Sequence, residues 1–232
     1  MYGIPSGKAY SVTESARAGF KTEPSAPCEG VTKAGLEAKA DFTNTYSATG
    51  TLPGSKALLG EKVLKGRDWF AGDSFTFILR GLDGAPMPEG SEGDICKLVV
   101  KSAEGTESGT PVAFSFGDIA YDAPGTYTYQ IYEPAEEATT PGVSTSLALY
   151  TVTVTVEDNH DGTLATSSEL TCVHDDLGAD VAADAAAADV ATFTNTFDAA
   201  SQEWAPIATK KLNDTSGALP LQAGMFEFTL TP

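Results

Sequence analysis

The run Tyr150-Thr-Val-Thr-Val-Thr-Val156 alternates an aromatic ring and three valines with three threonines. A period of two over seven residues puts all the apolar side chains on one face of an extended strand and scatters them around a helix, so this segment reads as a half-buried β-strand. The same period recurs. Phe75, Phe77 and Leu79 alternate with Thr76 and Ile78, Phe114 and Phe116 flank Ser115, and Tyr127, Tyr129 and Ile131 flank Thr128 and Gln130. Between these runs lie Leu82-Asp-Gly84, Glu89-Gly-Ser-Glu-Gly93, Ala123-Pro-Gly125 and Asn159-His-Asp-Gly162, each with turn chemistry. Many short strands joined by such turns predict an all-β sandwich. The alanine-rich stretch Asp180–Asp189 is too short to hold a helix unaided and is read as a loop insertion.

Charge narrows the partners. The 232 residues carry 14 Lys and Arg against 32 Asp and Glu, a net charge of −18, so nucleic acid is excluded because phosphates would be repelled. The excess acid suits an extracellular, solvated surface. No stretch is apolar enough to cross a membrane; the nearest, Val181–Ala191, is cut by Asp184 and Asp189. The first residues, Met1-Tyr-Gly-Ile-Pro-Ser-Gly7, show no secretory leader, which is expected if the chain is a fragment of a longer protein. Cys28, Cys96 and Cys172 are three and scattered, so neither a disulfide framework nor a zinc site is expected. Asp158-Asn-His-Asp-Gly162 lacks the glutamate that closes a calcium loop and reads as a hairpin turn, and His160 and His174 have no nucleophile pattern around them. No cofactor or metal is predicted, nor a stand-alone hydrolase.

Three signatures occur twice. Phe42-Thr-Asn-Thr-Tyr46 returns as Phe193-Thr-Asn-Thr-Phe197, and Tyr10-Ser-Val-Thr-Glu14 returns more loosely as Tyr129-Gln-Ile-Tyr-Glu133. Lys62-Val-Leu64 followed by Ala71–Leu79 returns as Lys210-Lys-Leu212 followed by Ala223–Leu230. Only the middle span contains Lys, then Glu, then Asn. The predicted organisation is therefore one complete repeat over residues 47–198, preceded by the tail of another repeat (1–46) and followed by the head of a third (199–232).

Parity then places three polar residues where polar residues are costly. Glu133 shares a strand face with Tyr127, Tyr129 and Ile131, Asn195 with Phe193 and Phe197, and Lys62 with Leu64. The partial repeats keep the register: Glu14 with Tyr10 and Val12, Asn44 with Phe42 and Tyr46, Lys210 with Leu212. Core-facing charges survive only when they meet. Burial lowers the pKa of a lysine and raises that of a glutamate, so such a pair can exist as a neutral amine beside a neutral acid. The amine is then a nucleophile, and the acid is expected to hydrogen-bond the Asn carbonyl and shuttle protons as ammonia leaves. The product would be a Lys62–Asn195 isopeptide bond, a single-turnover reaction of the protein on itself and not an enzyme activity.

Lys62–Trp69 with Ala71–Phe77, the strand Gly125–Glu133, the strand ending in Asp158–Leu164, and Phe193–Phe197 together resemble the streptococcal pilin isopeptide-linkage repeat. That resemblance implies immunoglobulin-like antiparallel β-sandwiches, a cell-surface or cell-wall location on a Gram-positive bacterium, and neighbouring repeats of the same protein as partners. It assigns Lys62 as amine, Asn195 as acceptor and Glu133 as proton shuttle. Residues 1–46, with Glu14 and Asn44 closer together, are similar to the shorter collagen-adhesin B-type repeat, and Glu14, Asn44 and Lys210 are the partial-repeat equivalents of the triad. The function implied is a stalk or pilus-backbone module. The alternative is an adhesin module holding a host protein or glycan, for which Trp69 and Trp204 are the only candidate contacts, although each lies just beside a Lys strand and suits packing or a linker role better.

Overall fold

The computed structural model describes residues 4–137, 140–198, 209–211, 213, 215–218, 222 and 224–229. The chain divides into two compact units, residues 1–198 and 199–232. In the second unit no strand occurs among the described residues. Lys210 is exposed there, with its ammonium over the Phe226 ring, so the core-facing strand position expected for it is not present. Leu212 and Trp204 lie outside the described residues.

The first unit begins with four short strands, β1 (Ala9–Val12), β2 (Phe20–Glu23), β3 (Cys28–Val31) and β4 (Thr43–Tyr46), paired β1 with β3 and β2 with β4. Eleven more follow: β5 (Gly50–Leu52), β6 (Leu59–Lys65), β7 (Phe75–Gly81), β8 (Ile95–Val100), β9 (Val112–Ser115), β10 (Ile119–Tyr121), β11 (Gly125–Tyr132), β12 (Leu149–Asp158), β13 (Leu164–His174), β14 (Ala187–Ala188) and β15 (Ala191–Thr196). A six-stranded sheet runs β14-β13-β12-β11-β7-β8 and a three-stranded sheet runs β15-β6-β9, with β5 and β10 forming a separate ribbon. The two larger sheets face each other. Phe77 of β7 stacks on Phe114 of β9 at 4.3 Å between ring centroids and lies 4.9 Å from Phe193 of β15. The result is the expected all-β sandwich with its core between the sheets.

Alternation reads through most directly in β12, where Tyr150, Val152, Val154 and Val156 are buried. Each such aliphatic side chain removed from water contributes about 1.5–3 kcal/mol before entropy is counted. In β7 the neighbour of the alternating set, Ile78, is buried as well, so that strand is covered on both faces at its centre. The alanine-rich insertion is a loop that ends in the two-residue edge strand β14. Residues 158–162 form a hairpin turn between β12 and β13 that its acidic side chains brace: Asp158 accepts from the His160 amide and Asp161 from the Thr163 amide and hydroxyl. One pairing departs from the expected antiparallel pattern. β6 and β15 run parallel, with Lys62 opposite Phe193 and Leu64 opposite Asn195. Parity fixes faces, not direction, and a parallel pair needs only a long connection, here most of the domain.

The N-terminal strands rest on this sandwich at the hairpin turn. The Tyr46 hydroxyl donates to Asp158 at 2.6 Å, and Gly19 meets Gly162 backbone to backbone. A Cβ on Gly162 would lie 2.6 Å from Gly19 Cα, and both residues have positive φ, so two glycines are required for this contact.

Candidate functional site

Three strands, β6, β11 and β15, deliver the three polar residues. Lys62 projects from the middle of β6 into the space between the sheets and is fully buried. Asn195 follows Phe193 on the inner face of β15 and is 2% exposed. Glu133 lies one residue beyond β11, keeps the inward direction of Tyr129 and Ile131, and is 8% exposed. The expected face is therefore right for all three, although Glu133 falls just outside its strand.

They meet through Glu133. Its Oε2 accepts from Lys62 Nζ at 2.9 Å and its Oε1 accepts from Asn195 Nδ2 at 2.7 Å. Lys62 Nζ also sits 4.2 Å from the centre of the Phe75 ring. Burial pushes the Lys62 ammonium down to a pKa of about 8, against the opposing pull of the Glu133 and Asp176 carboxylates. A group titrating there is about one-tenth neutral amine at pH 7, far more than an ordinary lysine offers. A small cavity bordered by Phe75, Val143 and Thr145 abuts Glu133 and Asn195, giving a small leaving group space next to the acceptor.

One expected contact is different. The Asn195 carbonyl does not face Glu133; Oδ1 accepts from the backbone amide of Ser146 at 2.8 Å, and the carboxyl group faces the amide nitrogen instead. Ser146 is itself buried, and its hydroxyl donates to Asp176 Oδ1 at 2.5 Å. Nothing in the sequence pattern marks these two, because Ser146 lies in an irregular segment before β12 and acts through its backbone. No sequence pattern marks Arg67 and Asp73 either. They form a bidentate pair at 2.7 and 2.9 Å in the β6–β7 connection, and Arg67 lies over the Phe70 and Phe197 rings. This pair fixes the loop that leads from the Lys62 strand to the Phe75 strand.

The N-terminal strands repeat the acid–amide part of the arrangement. Asn44 of β4 donates through Nδ2 to Glu14 Oε1 at 2.6 Å, and its Oδ1 accepts from the Thr22 hydroxyl at 2.6 Å. Both residues are exposed, so the expected core face is open here. No lysine hydrogen-bonds or pairs with Glu14 or Asn44 among the described residues. Trp69, the first aromatic candidate for ligand contact, is fully buried against Phe75 and belongs to the core. The three cysteines are free, no group of His, Cys, Asp and Glu among the described residues is placed to hold a metal ion, and no helix among them is long and apolar enough to cross a membrane.

Fold and site together define a β-sandwich domain with a buried Lys–Glu–Asn triad. The chain belongs to the FctA family, the Spy0128-like isopeptide containing domain, whose family model matches residues 58–198. Among solved structures it is similar to the major pilin from Streptococcus pyogenes (20% identity over 66% of this chain and 52% of that one, TM-score 0.40). It is also similar to a point variant of that pilin (21% identity, 61% and 50%, TM-score 0.40) and to the T-13 major pilin of serotype GAS131465 of the same organism (16% identity, 63% and 53%, TM-score 0.39). The chain spans about half the length of these pilins. No curated protein sequence matches it.

Proposed function

We propose that residues 47–198 are a load-bearing module of a Gram-positive cell-surface or pilus stalk, closed by a self-formed isopeptide bond between Lys62 and Asn195. The observation that carries this reading is the bridging of Lys62 Nζ and Asn195 Nδ2 by the two oxygens of one buried carboxyl group, 2.9 and 2.7 Å away. In the reaction the neutral Lys62 amine attacks Cγ of Asn195. Glu133 takes the proton that the amine sheds through Oε2 and passes one to Nδ2 through Oε1. The Cγ–Nδ2 bond then breaks, ammonia leaves, and a Cγ–Nζ amide remains. Burial assists twice, by lowering the affinity of the amine for its proton and by keeping water from competing for Cγ.

The placement of the bond gives it a mechanical role. It joins the first strand of the three-stranded sheet to the last strand of the domain, so tension entering near Lys62 leaves near Asn195 without loading the chain between them. Glu14 and Asn44 are the acid and acceptor of a preceding repeat, which makes neighbouring repeats of the same protein the natural partners. Single-molecule extension tests this: the native chain should not release the length between Lys62 and Asn195, whereas Asn195→Ala should release it. Full extension of the native chain would refute the proposal.

A further inference from the structure

The reaction drawn above leaves negative charge on Asn195 Oδ1 as the amine adds, and the acid that moves protons faces the other end of the carboxamide. The group that does face Oδ1 is the Ser146 amide, at 2.8 Å in a buried position. A fixed N–H donor aimed at developing oxyanion charge is worth about 10²–10³ in rate where it has been removed from other acyl-transfer sites. Its value depends on being held, because an irregular segment without ties wanders.

Asp176 supplies the tie. Its Oδ1 accepts from the Ser146 hydroxyl at 2.5 Å and also from the backbone amide of Thr194, the residue before Asn195, at 2.8 Å. Its backbone carbonyl accepts from the Leu147 amide at 3.0 Å. The Ser146 hydroxyl in turn accepts from the Ala148 amide at 3.2 Å. One carboxylate oxygen thus spans from the segment that carries the donor to the strand that carries the acceptor. Electrostatics alone argue against an acid here: a negative charge beside a developing oxyanion raises the barrier, and Asp176 also helps keep Lys62 protonated. What it contributes is geometry.

We propose that the Ser146 backbone amide is the oxyanion donor of the cross-linking reaction and that Asp176 is the positioning residue that holds it against Asn195. This inference rests on the Lys62–Asn195 reading and deepens it.

Substitution at Asp176 separates geometry from charge. Asp176→Ala removes both and should slow ammonia loss roughly tenfold or more, a fraction of what deletion of an oxyanion donor costs. Asp176→Asn keeps an acceptor for Ser146 and Thr194 while removing the charge, and should cross-link at least as fast as the native chain. Its rate should reach half-maximum at lower pH, since Glu133 is then the charged group left acting on Lys62. Ser146→Ala keeps the amide but cuts one tie and should fall between the native and Asp176→Ala rates; it also serves if Asp176→Ala fails to fold. Rates are read by intact mass on pulse-labelled full-length chain at several pH values. Native speed in Ser146→Ala and Asp176→Ala, or an Asp176→Asn variant as slow as Asp176→Ala, would overturn the assignment. A native chain that never loses ammonia would instead refute the parent reading.

Discussion

Lys62 lies opposite Phe193, not Asn195, in the parallel register of β6 and β15. Asn195 is two residues farther along, about 6.6 Å at strand rise, so the amine approaches lengthwise, along its own stem and over the Phe75 ring. That path needs a long, flexible side chain that can shed a proton. Lys62→Arg keeps the length but not the chemistry, because a guanidinium stays charged and is a poor nucleophile. The variant should fold with its full sequence mass, no ammonia lost, and no branched peptide, checked by intact mass and peptide mapping.

Removing the relay should leave the sandwich standing. Glu133→Ala retains amine and acceptor but strands Lys62 in an apolar site, and breaking a buried pair in this way costs about 3–5 kcal/mol. A folded, uncross-linked protein with a markedly lower melting temperature is expected in calorimetry. Complete bond formation in this variant would make Glu133 merely structural.

Much of this site was legible in the sequence because parity carries information that composition does not. Three polar residues on apolar faces announced themselves, and Lys62, Glu133 and Asn195 do converge. The direction of β15 was not legible, since a strand run either way shows the same faces. Ser146 and Asp176 were not legible either: one works through a backbone N–H, which every non-proline residue has, and the other sits in the irregular segment after β13, where an acid looks like any solvated loop acid. The Glu133–Asn195 hydrogen bond falls on the other end of the carboxamide from the one expected for the same reason, the donor that takes Oδ1 being main chain.

The depressed Lys62 pKa makes a signed pH effect visible when the bond cannot form. In Asn195→Ala the folded lysine gives up its proton near pH 8 and the unfolded one near 10.5. Between those values the unfolded state binds more protons, so stability should rise with pH from about 8, by up to roughly 3 kcal/mol if the whole window is traversed. Burial raises the pKa values of Tyr129 and Tyr150, which act in the opposite sense above about pH 10, and that of the Cys172 thiol, which acts in the opposite sense from about pH 8.5, so the clean comparison is denaturant titration between pH 7.5 and 9.5 in a Cys172→Ala background. Flat stability across that range would place Lys62 in solvent.

The docking of residues 1–46 hangs on a glycine pair. Gly162→Ala introduces a Cβ 2.6 Å from Gly19 Cα at a φ of +89°, which forces the two backbones apart. Limited proteolysis should then cut near residue 47 faster than in the native chain, while residues 47–198 stay resistant. First cleavage inside that span would mean the sandwich ends elsewhere.

The most direct measurement is the intact mass of the purified chain. It should be lighter than the sequence mass by one ammonia, with the loss mapping to a branched peptide that joins Lys62 to Asn195. An unmodified mass from well-folded protein would contradict the central claim.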